Sequence, residues 1–154
     1  MKRQRLRISM IAAPTMIVCG LLASGASARA ESEDGACSNR TIQGDYGYAA
    51  EGVLLGIPGL PVAPFRSVGM THFDGKGNLT WVEHTVVNGV PLNVGWTPAS
   101  GTYTVNPNCT GTAVVNTPNS PVPLNLAFVV VKQGKEIHSV LDANAIATVF
   151  IKVE

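Results

Sequence analysis

The residues with chemistry to offer are few. A carboxylate and an imidazole stand side by side at Glu83 and His84, further histidines occur at His72 and His138, and Cys37 and Cys109 lie beyond the first thirty residues. Glu83 and His84 have the composition of an acid–base pair, but successive strand residues point to opposite faces, so both cannot line one cavity. An inward Glu83 beside Trp81 would be a carboxylate among aromatic rings. Desolvation there favours the protonated form and poises it for proton transfer or for holding a ligand. The sequence balance favours an outward, solvated Glu83, and the inward one is kept as the catalytic candidate. The three histidines are the residue types of a zinc site. In the pairing derived below, His72 and His84 share a face but stand at opposite ends of it, too far apart at about 3.3 Å per residue to hold one ion. No metal or cofactor is expected, because no nucleophile elbow, phosphate-binding glycine loop or zinc-protease signature occurs.

Strands must position these groups. Residues 65–87 (FRSVGMTHFDGKGNLTWVEHTVV) are two runs of β-formers joined by a polar turn with two glycines, which reads as a hairpin. Placing Phe73 opposite Leu79 sets Thr71 opposite Trp81 and Gly69 opposite Glu83. One face then holds Ser67, Thr71, Phe73, Leu79, Trp81, Glu83 and Thr85. The other holds Val68, Met70, His72, Thr80, Val82, His84 and Val86.

The chain begins with an address. Lys2, Arg3, Arg5 and Arg7 precede an apolar run interrupted by Pro14, and Ala28-Arg29-Ala30 offers small residues for cleavage, so residues 1–30 read as a signal peptide and 31–154 as one domain. Cleavage leaves six basic and ten acidic residues, a net charge of −4. That balance excludes nucleic acid and anionic membranes as partners, and no stable membrane span is expected after cleavage. Cys19 leaves with the peptide. The remaining pair, Cys37 and Cys109, is expected to form a disulfide in an oxidising, periplasmic or extracellular setting.

The rest of the domain is strand and turn. Residues 41–53 alternate as a first strand, and 101–106, 109–116, 124–131, 137–143 and 146–153 follow as further strands, with no helical period. Residues 54–64 (LLGIPGLPVAP) are an apolar loop: a plug on one end of the fold, a lid or a partner patch. The stretch after Asn88-Gly89 is expected to be a loop over the same fold. Asn39, Asn78 and Asn108 head Asn-x-Ser/Thr triplets and are read as turn residues. About eight short strands in consecutive hairpins predict an all-β, antiparallel up-and-down barrel, with a β-sandwich as the alternative. Residues 127–131 and, apart from Thr148, 146–151 are apolar on both faces, so a loop or a second subunit of a homo-oligomer is expected to cover them.

The stretches GDYGYAAEG, GMTHFDGKGNLT, GTYTVNPNCTGT and KQGKE, in that order, resemble a group of small exported bacterial β-barrel proteins, similar to calycin-like and allene oxide cyclase-type barrels. The resemblance covers nearly all of the chain after residue 30 and implies a barrel with a central cavity. No cyclase motif maps onto these residues, so no activity carries over. Tyr46, Tyr48, Phe73, Trp81, Glu83, Trp96 and Tyr103 are the candidates to line the cavity. Three functions follow: a module holding a small apolar ligand in its lumen, an isomerase or cyclase using one acid–base residue, or an interaction protein with a filled barrel.

Overall fold

Alternation governs the fold, because nearly every strand buries every second residue and exposes the one between. The computed structural model describes residues 36–55, 59 and 61–154. The expected signal peptide, Cys19 and the middle of the 54–64 loop lie outside the described residues.

Nine strands follow in order: β1 (Gly44–Leu54), β2 (Ala63–Phe73), β3 (Asn78–Val87), β4 (Val90–Pro91), β5 (Thr97–Val105), β6 (Thr110–Asn116), β7 (Leu124–Val131), β8 (Glu136–Leu141) and β9 (Ala145–Lys152). All pairings are antiparallel, and each long strand pairs with the one before and the one after it. Because β1 also pairs with β9, the sheet has no free long edge and closes into an eight-stranded barrel, with β4 as a short addition to β3. The sandwich alternative is excluded by that closure. β5 begins at Thr97, four residues before its expected start, since Pro98 needs no donor at an exposed position near the strand end.

The hairpin has the expected register, with Phe73 opposite Leu79, Thr71 opposite Trp81 and Gly69 opposite Glu83. Its turn is built on Asp74, whose Oδ1 accepts from the amides of Lys76, Gly77 and Asn78 at 2.7–2.9 Å, while Oδ2 accepts from Asn78 Nδ2 at 2.7 Å. Gly75 and Gly77 take φ of 75° and 113°, values that side chains disfavour. These hydrogen bonds, those from Asn78 foremost, hold the Asp74 carboxyl at about 2. The asparagines do act in local structure: Asn39 Oδ1 accepts from the Val105 amide and Asn108 Oδ1 from the Thr110 amide.

The two barrel ends differ. At the turn end the chain entering from Cys37 forms a short 3-10 helix (Asn39–Ile42) that buries Ile42 completely. A Cys37–Cys109 disulfide with Cα atoms 4.9 Å apart, and a hydrogen bond from Cys37 N to Pro107 O, pin it there. Tyr46 donates its hydroxyl to Gly134 O, and Tyr103 donates to Asn39 O while accepting from Gly75 N. Tyr46, Phe73 and Tyr103 pack edge to face beneath, with ring centroids 5.4 and 5.0 Å apart. This end is shut. The outward residues Val129, Val140, Val149 and Ile151 remain exposed in the single chain.

Candidate functional site

The opposite end opens a recess among side chains from β1, β2, β3, β7, β8 and β9. Its volume is about 40 Å³, and Tyr48, Phe65, Trp81, Glu83 and Phe150 are among its lining residues. Strand register explains the gathering: Tyr48 pairs with Gly69, and Gly69 with Glu83, so a single β2 position without a side chain separates the phenol from the carboxylate. A Cβ on Gly69 would lie 2.6 Å from the Tyr48 ring, so the glycine is what lets that ring lie flat across the wall.

Glu83 corrects the favoured sequence reading: it points inward and is only 4 % exposed. Its Oε1 accepts hydrogen bonds from the Thr117 hydroxyl at 2.5 Å and from Asn119 Nδ2 at 2.9 Å. Asn93 in turn donates to Asn119 and to Thr97 Oγ1. A carboxylate offers about four lone-pair positions, so these donors fix its orientation without exhausting its capacity to accept. On the neighbouring wall, Ser67 and Thr85 hydroxyls are hydrogen-bonded at 2.9 Å, and Tyr48 OH lies 3.5 Å from Ser67 Oγ. Burial, reinforced by the Glu83 charge against the lowering effect of Ser67, pushes the Tyr48 phenol up.

The other candidates divide by depth. Tyr48, Trp81 and Glu83 line the recess, whereas Tyr46, Phe73 and Tyr103 belong to the aromatic layer toward the closed end. Trp96 is a correction: it is 62 % exposed and sits on the outside of the barrel against His84. The segment before β5 turns Val94 and Trp96 outward and presents Asn93 to the rim. The histidines are apart and separately engaged, His72 with Asp45 at 2.7 Å, His84 with Gly95 O at 3.0 Å and His138 with Glu136 at 2.5 Å. No cluster of metal-ligating side chains occurs among the described residues.

Sequence reasoning missed Thr117 and Asn119, which lie in a proline-rich connection and carry no periodic signal. Their spacing of two residues is the signature of a hydroxyl-capped turn, and Asn119 N does donate to Thr117 Oγ1. That signal was available, although its target was not.

No helix among the described residues is long and apolar enough to cross a membrane. No protein-family model and no curated protein matches this chain. Strand number and up-and-down closure agree with the calycin-like architecture that the resemblance implies.

Proposed function

We propose that the barrel is an exported binding module whose open end takes a small, largely apolar molecule carrying a hydrogen-bond donor. The observation that carries this reading is Glu83: a carboxylate held by Thr117 and Asn119 at the wall of a largely apolar recess. Burying a carboxylate is costly, and two donors offset that cost only in part, so the group is retained where it recognises something. The recess of about 40 Å³ lies far below the roughly 300 Å³ of a drug-sized site. It admits the tip of a slender ligand, with the remainder between the rim loops. The disulfide is compatible with an oxidising compartment and so supports export.

Titration with straight-chain alcohols such as hexanol, followed by amide chemical shifts, tests the reading. Perturbations confined to the recess strands and weakened by Glu83→Gln are expected. Absent shifts, or shifts scattered over the outward faces, would overturn it. The same inward Glu83 favours a second reading, an isomerase or cyclase using it as the acid–base group; conversion of a bound ligand would identify that case.

A further inference from the structure

The barrel is amphipathic along its axis. β1, β3, β6 and β8 run toward the open end and β2, β5, β7 and β9 leave it, so residues 55–62, 88–96, 117–123 and 142–144 form its rim. The first three of these connections contain no Lys, Arg, Asp or Glu, and the fourth carries Asp142. Leu55, Val62, Val90, Val94 and Val122, all in the uncharged three, are 52, 70, 64, 106 and 40 % exposed. Charge lies toward the closed end: Arg40 in the 3-10 helix, Asp74 and Lys76 in the β2–β3 turn, Lys132 and Lys135 between β7 and β8, and Lys152 at the end of β9. Nearer the rim, Glu51 and Arg66 pair with each other at 3.5 Å on the outer wall, and Glu83 is buried.

We infer that this rim is a docking surface for a neutral, zwitterionic lipid bilayer, into which the aliphatic loop tips insert. A single exposed valine is ordinary, but five aliphatic side chains on neighbouring connections around one mouth mark an interaction surface. A protein partner needs a matched shape, whereas tips on separate connections can meet a plane without one. Charge selects the lipid. With no basic residue in those three connections and a net charge of −4 after residue 30, nothing there attracts anionic headgroups. Pro61, Pro91, Pro118, Pro121 and Pro123 lack an amide donor, so the backbone nearing the acyl region carries fewer polar groups to leave unpaired. The contact is that of an interfacial anchor, not a span. The recess opens at the same end, so a seated barrel turns its mouth toward the bilayer.

Flotation of the purified protein with vesicles of phosphatidylcholine alone, and with phosphatidylglycerol added, tests this. The protein is expected to float with the neutral vesicles, and added anionic lipid should not strengthen binding. Val94→Asp and Val90→Asp, at exposed positions where the fold tolerates a charge, should each weaken binding by about tenfold or more, the worth of burying one valine side chain. Val129→Asp, on the outer wall of β7 away from the rim, should stay within about twofold of the unaltered protein. Absent flotation, or an equal loss in Val129→Asp, would overturn the proposal. So would a lipid-free dimer in sedimentation equilibrium that Val94→Asp dissociates, which would assign the rim to a second copy of the chain. Hexanol binding in the recess is measured without vesicles, so none of these results decides the lumen reading.

Discussion

Thr117 and Glu83, 34 residues apart, meet at the rim of the barrel, where the threonine hydroxyl donates to the buried carboxylate. This bond joins the β6–β7 connection to the middle of β3 and gives a proline-rich loop a fixed seat. Hydrogen bonds to charged groups contribute about 1.5–3 kcal/mol, and removing one partner leaves the other buried without it. Thr117→Val should therefore destabilise the protein by about 2 kcal/mol in urea unfolding at neutral pH. Glu83→Gln retains an acceptor oxygen and should cost less. Equal losses in the two variants would show that the charge, rather than the donor, governs this site.

Closure of one barrel end depends on the covalent link. The disulfide spans a sequence separation of 72 residues, for which loop-closure entropy gives about 4 kcal/mol. A Cys37→Ala, Cys109→Ala double variant should lose roughly that much, measured by denaturant midpoint, and hydrogen exchange should rise first around Ile42. A loss below about 1 kcal/mol would mean that the unlinked chain is already constrained before folding.

Ionisation of the tyrosines provides a pH test. Burial pushes all three up, Tyr46 to about 12 with some help from Tyr103, and Tyr48 and Tyr103 in the same direction. A folded pKa above the unfolded value of 10.0 gives a contribution that is complete below pH 10 and lost as pH rises toward about 12. Tyrosinate absorbance should accordingly stay flat through pH 10 and appear together with alkaline unfolding. A separate titration step near pH 10 in the folded protein would contradict the burial of these rings.

Gly69 is the position where the barrel wall gives way to Tyr48. An added Cβ would stand 2.1 Å from Val82 O and 2.6 Å from the phenol ring. Gly69→Ala should cost about 1–3 kcal/mol by overpacking and, by displacing Tyr48, weaken hexanol binding. Gly47→Ala, on β1, is the control for the loss of a glycine, because its Cβ position meets only Met70 Sδ at 3.7 Å, an ordinary contact.

Much of the fold was legible because strand chemistry is local. The turn at Asp74 set the β2–β3 register, and period two then sorted Ser67, Thr71, Trp81 and Glu83 onto one face and Val68, Met70, Val82 and His84 onto the other. Which face turns inward was not local at all. The hairpin buries Ser67, Thr71, Glu83 and Thr85 along with Phe73, Leu79 and Trp81 while exposing Val68, Met70 and Val82, so hydrophobicity position by position does not rank the two faces. Lumen volume explains the mixture: Tyr48, Phe73, Trp81 and Phe150 fill the interior from several strands, and smaller polar side chains fit between them. Trp96 shows the same limit, since only the path of the preceding segment put it outside.

The sequence by itself determined most of the strands, the register of the β2–β3 hairpin and the cysteine pair, because these follow from periodicity, turn chemistry and the count of thiols. Only the tertiary structure decided that β1 meets β9, that Glu83 lies inside, and that Thr117 and Asn119 reach it. Those outcomes depend on closing the sheet, and closure is a property of all eight long strands at once.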